Sequence, residues 1–276
     1  MSIVESSRFQ FHRLRHELGN FSLLKSRHCD GAIISMHQSG THWLKFMLAN
    51  AIAAHYGIEA PRYNHANDII GGNKDRRLPA PIPHFRSSHS IPPLLLCNRI
   101  VFGCTTLPPY ILLIRDIRAC LVSNYAKWQA RYAVSFAEYL RGDPAGRRFN
   151  SDIWWCFRFL NAWGRMATLS DGRIHIVRYE DLAAAPHKEL DRLARHLGLS
   201  LSPSIIAAAV SASTKQAMAA RSDPARPPGE INPRGNDPLD AFDPADREFV
   251  RSRCARYLRQ PFGYDYAVWA SATSRS

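Results

Sequence analysis

The chain has 276 residues, 46% of them hydrophobic, and a formal net charge of +13 at pH 7. That is enough length and apolar content for one large domain with a real core, and no apolar run is long enough to span a membrane. The six cysteines form no CxxC pair, which argues against a zinc site, and the N-terminus lacks the apolar core of a secretory signal.

Only six lysines stand among the 36 basic residues, so the charge is almost all arginine. A basic surface attracts polyanions, and arginine grips phosphate with a planar fork that lysine lacks. A GC-rich genome explains an arginine- and alanine-rich chain equally well. Cys29, Cys97, Cys104, Cys120, Cys156 and Cys254 read as reduced core residues, which points to the cytoplasm.

In chain order, residues 8–24 mix basic and apolar residues at roughly helical spacing. Phe11, Leu14 and Leu18 share one face, with Arg13 and Arg15 elsewhere. Such a helix either packs on the domain or lies on an anionic membrane surface. The run 31–36, GAIISM, reads as a buried parallel strand. The turn HQSG follows, then THWLKFMLANAIAAHY with apolar residues at helical intervals. Residues 57–84, rich in Pro, Gly and Asn, form a long irregular excursion. A short strand is expected over 84–90, a buried strand over 110–116 and a helix over IRACLVSNYAKWQARY. An aromatic-rich helix follows in SDIWWCFRFLNAWGRMATL, and RIHIVRYEDL (173–182) reads as a further strand. Pro186 near a helix start and Gly198 at its end punctuate the next helix. One more helix is expected near 203–219, then a Pro/Gly/Asp-rich loop over 225–244 and a closing helix, PADREFVRSRCARYL.

Alternating strands and helices predict a single α/β domain whose central parallel sheet is flanked by helices. The expected organisation is one domain over 1–276: an amphipathic helix within 1–28, a core over 29–266 and a disordered tail over 267–276. Ligands of such sheets bind at the carboxyl ends of the strands, so the loops after 36, 90, 115 and 179 should converge on one edge.

A glycine turn running into a helix offers backbone N–H groups and the positive end of a dipole to an oxyanion. Gly40 allows close approach, and Ser39 and Thr41 add hydroxyl donors. There is no Walker lysine, since no GK[ST] follows a GxxxxG frame.

HQSGTHWL (37–44) resembles the 5′-phosphosulfate loop, usually PKSGTTWL, of the sulfotransferases that use 3′-phosphoadenosine 5′-phosphosulfate (PAPS). RDIRACLVSNY resembles that family's 3′-phosphate motif, which implies Arg115 and Ser123 as phosphate ligands. For Arg115 alone, a surface salt bridge with Asp116 or a neighbour is the competing reading. IVRYEDL resembles the RYEDL segment that places Tyr179 near the nucleotide and makes the acidic pair structural. SSHSIP resembles the K[ST]HLP segment, which implies His89 as the catalytic base. NPRGN resembles the RKG loop over the 3′-phosphate through Arg234 and Gly235, with Pro233 replacing an arginine. FGYDY is similar to an ending common among bacterial members.

The resemblance spans about residues 31–266. It implies a P-loop-containing nucleotide-hydrolase-like fold, PAPS as cosubstrate and no metal. It also implies a nucleotide site made of His37, Gln38, Ser39, Gly40, Thr41, His42, Trp43, Arg115, Ser123, Tyr179, Arg234 and Gly235. Trp43 could stack on adenine, or be a core aromatic of the first helix; Trp154, Trp155 and Trp163 read as core or acceptor-pocket residues.

Two departures bear on chemistry. The family's loop lysine is Gln38 here, and the lysine two residues before the base is Ser87. Gln38 can donate without charge, and His37 and His42 flank the loop as further donors. Arg86, if 86–89 is extended, points to the face opposite His89. Lys45 lies one turn inside the helix and is not assigned to the site. Transfer is then slower, or assisted by a histidine or by a cation on the acceptor side. Two other readings remain open: a P-loop phosphotransferase that prefers ATP, and a nucleotide- or polyanion-binding protein without transferase activity. The acceptor is unidentified, a glycan, lipid or small alcohol; Arg62, Arg76, Arg77, Arg147 and Arg148 would suit an anionic one. No nucleic-acid partner is expected.

Overall fold

A computed structural model describes residues 3–18, 28–71, 78–105, 107–225 and 237–269. In chain order the helices are α1 (Ile3–Leu18), α2 (Thr41–Tyr56), α3 (Arg99–Gly103), α4 (Ile117–Tyr132), α5 (Phe136–Arg141) and α6 (Ile153–Leu169). They continue with α7 (Tyr179–Ala184), α8 (Pro186–His196), α9 (Pro203–Ser211), α10 (Lys215–Ala220) and α11 (Pro244–Tyr257). The strands are β1 (Gly31–Ser35), β2 (Phe85–Ser88), β3 (Tyr110–Ile114) and β4 (Ile174–Arg178), all parallel and in the order β2-β1-β3-β4.

The central strands are apolar throughout because helices cover both faces. Successive side chains on a strand alternate sides. Ala32, Ile34, Leu112 and Ile114 therefore face one core, with α4, α6 and α11. Ile33, Ile111, Leu113 and Val177 face a second core, with α2, α8 and α9. Parallel strands put all four carboxyl ends on one edge, where the site lies.

Several expected elements lie where the pattern put them. The helices at Ile117–Tyr132 and Pro186–His196 are examples, the second followed by Gly198 at φ 78°. Two differ. The strand expected over 173–182 stops at Arg178, and Tyr179 opens α7. Glu180 and Asp181 fall in that helix's first turn, where acidic side chains favour helix over strand. The helix expected near 203–219 is two helices, because Thr214 caps a new one by accepting from Ala217 N–H.

Helix α1 also departs from expectation. Phe11, Leu14 and Leu18 share a face, but that face is exposed. The helix docks through the opposite face, where Phe9 sits 5.3 Å from the Trp154 ring and 5.5 Å from Tyr257. Arg15 is not elsewhere: it lines a surface cleft together with Phe11. All six cysteines are free, four of them buried. Among the described residues no cluster could hold a metal ion, and no helix is long and apolar enough to cross a membrane.

Candidate active site

Between β1 and α2 the chain turns through Met36–Gly40. Gln38 and Gly40 both have positive φ, 61° and 90°. Alternating left- and right-handed residues point successive N–H groups into one concavity, a nest suited to an anion. A left-handed glutamine costs roughly 1–3 kcal/mol, and Arg115 holds it there, donating from Nη1 to the Gln38 carbonyl at 3.0 Å. Gly40 is required twice over. Its φ is unsuited to other residues, and a Cβ there would come within 2.7 Å of the Tyr179 ring.

Helix α2 starts without a side-chain cap and without an acidic residue in its first turn. By contrast Asp116 caps α4, Asp152 caps α6 and Ser202 caps α9. The first intrahelical bond of α2 runs from Leu44 N–H to the Gly40 carbonyl (3.1 Å), so the donors before it point out of the helix end. The hydroxyls expected as donors are engaged within the loop instead. Ser39, fully buried, donates to the Met36 carbonyl (2.7 Å). Thr41 donates to Ser35 Oγ (2.8 Å).

His89 follows β2 directly, and the register Ile34↔Ser88 brings it beside Ser35 on β1. Its Nδ1 lies 2.8 Å from the Ser35 carbonyl and 3.2 Å from Ser35 Oγ. A carbonyl only accepts, so Nδ1 carries the proton and Nε2 keeps the lone pair. Trp163 Nε1 donates to the Ser90 carbonyl (3.0 Å) and fixes the segment just beyond. The His37 ring stacks on His89 at 4.1 Å and meets Trp155 at 4.6 Å. One edge of His89 is open to solvent, and protein crowds the rest. That crowding lowers its pKa below 6.5; the Ser35 carbonyl opposes the shift, and Lys45 and Lys127 reinforce it. Burial, then the neighbouring His89 and Lys127, lower His37 to about 3. His37 is therefore neutral at pH 7 and supplies no cation. His42, the other flanking histidine, is exposed.

Arg115 at the end of β3 stacks on Tyr179, 4.3 Å from the ring centroid, and so bridges the ends of β1, β3 and β4. Asp116 is not its partner, since it pairs with Arg118 (2.6 Å). Ser123 lies half-buried two turns into α4. Trp43 is tied by Nε1 to the Ser213 carbonyl (2.9 Å) and meets Tyr179 edge-on at 5.9 Å. Of the acidic pair after Tyr179, Asp181 lies 3.8 Å from Arg178 Nε. Glu180 accepts from Asp116 N–H (3.3 Å) and from the Tyr264 hydroxyl. The expected edge convergence is seen around the turn after Met36, which meets His89, Arg115 and Tyr179. Arg234, Gly235, Arg76 and Arg77 lie outside the described residues, as does the end of the expected tail, 270–276.

Two lysines not assigned to the site from the sequence act on its histidines. Lys45 is 3% exposed and donates from Nζ to Asn67 Oδ1 at 2.7 Å. It is i+4 from Thr41, hence on the same helix face, and helical side chains slant back toward the N-terminus. Its charge acts on His89. Lys127, i+4 from Ser123 on α4, acts on both His37 and His89. The signal for both was the i, i+4 spacing from a residue already assigned. Arg86, by contrast, acts on Cys29 before the start of β1 and so serves the other end of the sheet. Ser35, the residue that fixes the His89 tautomer, carried no sequence signal.

Residues 30–225 match the family described as sulfotransferase domain. The chain belongs to the sulfotransferase family. A search of curated proteins finds no match to this sulfotransferase. Its fold is similar to that of mouse sulfotransferase SULT7A1 complexed with PAP, with TM-score 0.55, 16% identity, and coverage of 88% of this chain and 90% of that one. Retinol dehydratase in a complex with retinol and PAP gives TM-score 0.47 and 14% identity over 79% of this chain and 80% of that one. A sulfotransferase from Alicyclobacillus acidocaldarius gives TM-score 0.40 and 12% identity over 87% of each chain.

Proposed function

We propose that this sulfotransferase moves a sulfuryl group from PAPS to an acceptor hydroxyl, with His89 as general base. The observation that carries the reading is a histidine whose Nδ1–H is fixed on the Ser35 carbonyl, beside an uncapped helix end. Bound, the nucleotide supplies the activated sulfuryl group and a phosphate leaving group. The backbone of Gln38–Trp43 receives the 5′ end, with His37 packed behind the base. Arg115 and Ser123 receive the 3′-phosphate, and Tyr179 and Trp43 form the corner for the adenine. His89 Nε2 takes the acceptor proton as the new S–O bond forms and the old S–O bond to phosphate breaks. Such a base contributes about 10²–10⁴-fold.

Lys45 replaces the missing loop lysine. It would act from inside α2 rather than from the turn, with Asn67 orienting it. The Gln38 amide adds a neutral donor. The acceptor enters the cleft of about 480 Å³ lined by Arg15, His16, Glu17, His89, Trp155 and Arg158, among others. Arg15, Arg158 and Ser90 in its lining suit a polar acceptor, an alcohol of a glycan, lipid or small molecule.

Calorimetric titration with PAP, the desulfated product, against ADP and ATP tests the reading. Tight binding of PAP alone is expected. A preference for ATP would favour a phosphotransferase, and no binding of any of the three would refute the assignments of Arg115 and Ser123.

A further inference from the structure

Helix α1 has two unlike faces. At 100° per residue, Glu5, Phe9 and His12 fall on one side. Phe9 is buried against Trp154 and Tyr257, and Glu5 pairs with Arg253 at 3.0 Å. His12 is pressed on Gly146, where a Cβ would come within 2.2 Å of its Nε2. The helix is thus fixed to the domain, and its other face is committed to the outside.

That outer face reads Val4, Arg8, Phe11, Arg15, Leu18, with Leu14 at its border; all six are exposed, and Phe11 is 66% exposed. Apolar residues and arginines alternate along it. The 3-10 turn Leu94–Cys97 packs against α1, and α3 continues from it with Arg99, Ile100 and Val101 exposed, Ile100 at 78%. A soluble surface rarely gathers this much apolar side chain on neighbouring elements without a partner. A protein core partner would not want the interleaved arginines, whereas an interfacial helix needs both.

Beside Phe11 lies a cleft of about 710 Å³ lined by Arg8, Arg15 and Arg147, with Asp143 as its one acid. Arg15 and His16 also line the His89 cleft. The apolar stripe, the basic cleft and the reaction cleft are therefore contiguous.

We propose that the outer face of α1 docks the protein on an anionic lipid bilayer and brings the His89 cleft to hydroxyl groups carried on that surface. The apolar side chains enter the interface while Arg8, Arg15 and Arg147 meet lipid phosphates. The second half of the proposal rests on the sulfuryl-transfer reading.

Vesicle flotation of the full chain tests the first half. Each arginine near an anionic surface strengthens binding by about fivefold, so three give roughly 100-fold over neutral lipid. Binding to vesicles with roughly 30 mol% phosphatidylglycerol, weak binding to pure phosphatidylcholine, and release by about 0.5 M salt are expected. Phe11→Ser with Leu14→Ser should cut binding at least tenfold while leaving PAP affinity unchanged. Equal binding to both lipids, or none to either with PAP binding intact, overturns the docking proposal and leaves the transfer reading standing. So does a concentration-dependent dimer that this double substitution abolishes without any vesicle binding. Intact docking with no PAP binding overturns the transfer reading and the second half only. With radiolabelled PAPS and a polar-lipid extract dispersed as vesicles, label in the organic phase supports that half. Label confined to water-soluble acceptors overturns it.

Discussion

Removing the buried ammonium with Lys45→Met keeps the stem's volume and deletes the charge. Lys45 is 3% exposed, so bulk salt screens it little. At about one helical turn, ~5.4 Å, and an effective dielectric of about 20, a unit charge is worth about 3 kcal/mol to a developing anion. That predicts kcat lower by roughly 150-fold, within the ~10²–10³-fold range for losing one transition-state donor. Methionine packs in irregular sites, and Asn67 loses one partner, so a stability cost of about 1–2 kcal/mol is expected alongside. A second readout separates chemistry from folding. Lys45 helps hold the His89 pKa below 6.5, so its loss should raise that pKa. With His89 as the proposed base its unprotonated form is the active one, so the acid limb of kcat/KM should move to higher pH. Gln38→Lys in the same chain should restore most of the rate. The assay is PAP release over pH 4.5–8, set with PAP calorimetry to show that the fold is retained. A folded Lys45→Met protein with kcat within about threefold of wild type and an unmoved acid limb would refute the role.

Arg115→Lys should weaken PAP binding by about 10–100-fold, because lysine keeps the charge but loses the stack on Tyr179 and the planar fork; calorimetry reads it. Gly40→Ala should cost roughly 1–3 kcal/mol and at least a tenfold loss of PAP affinity, since its Cβ meets the Tyr179 ring; thermal melts and titration both report it. His37 is held at about 3 against 6.5 in the unfolded chain. Between those values the unfolded chain binds more protons, so stability falls as pH drops from 6.5 toward 3, by up to about 5 kcal/mol. Urea midpoints for His37→Phe should show a flatter acid limb than wild type.

The sheet and its flanking helices were legible because apolar periodicity, capping and proline placement all agree along most of the chain. Ile117–Tyr132 and Pro186–His196 are examples. The strand at 173–182 was read too long because VRY continues a β-like apolar pattern, while Glu180 and Asp181 favour a helix start. The positions of the loop, His89 and Arg115 at strand ends were legible as spaced motifs, since each motif needs a fixed residue there. What stayed hidden depends on which side chains meet across strands. Ser35 looks like any strand-end serine until β1 and β2 come into register. The hydroxyls of Ser39 and Thr41 looked available until their acceptors, Met36 and Ser35, were in place. Lys45 looked like a stray lysine on a helix until Asn67, in the irregular 57–71 segment, closed over it.

The last apolar turn of the chain has a consequence in time rather than in space. Tyr264 holds Glu180, which in turn receives Asp116 N–H at the helix cap beside Arg115. The Tyr266 hydroxyl accepts from Ile117 N–H at 3.3 Å. These two tyrosines follow in the chain nearly everything they brace. Glu180 and Tyr264 are 84 residues apart, so at about 5–20 residues per second the ribosome needs roughly 4–17 s to make the second after the first. Through that interval the nucleotide edge of the sheet exists without its brace. A released chain truncated before Tyr264 is therefore expected to retain PAP less well than one that ends beyond Trp269.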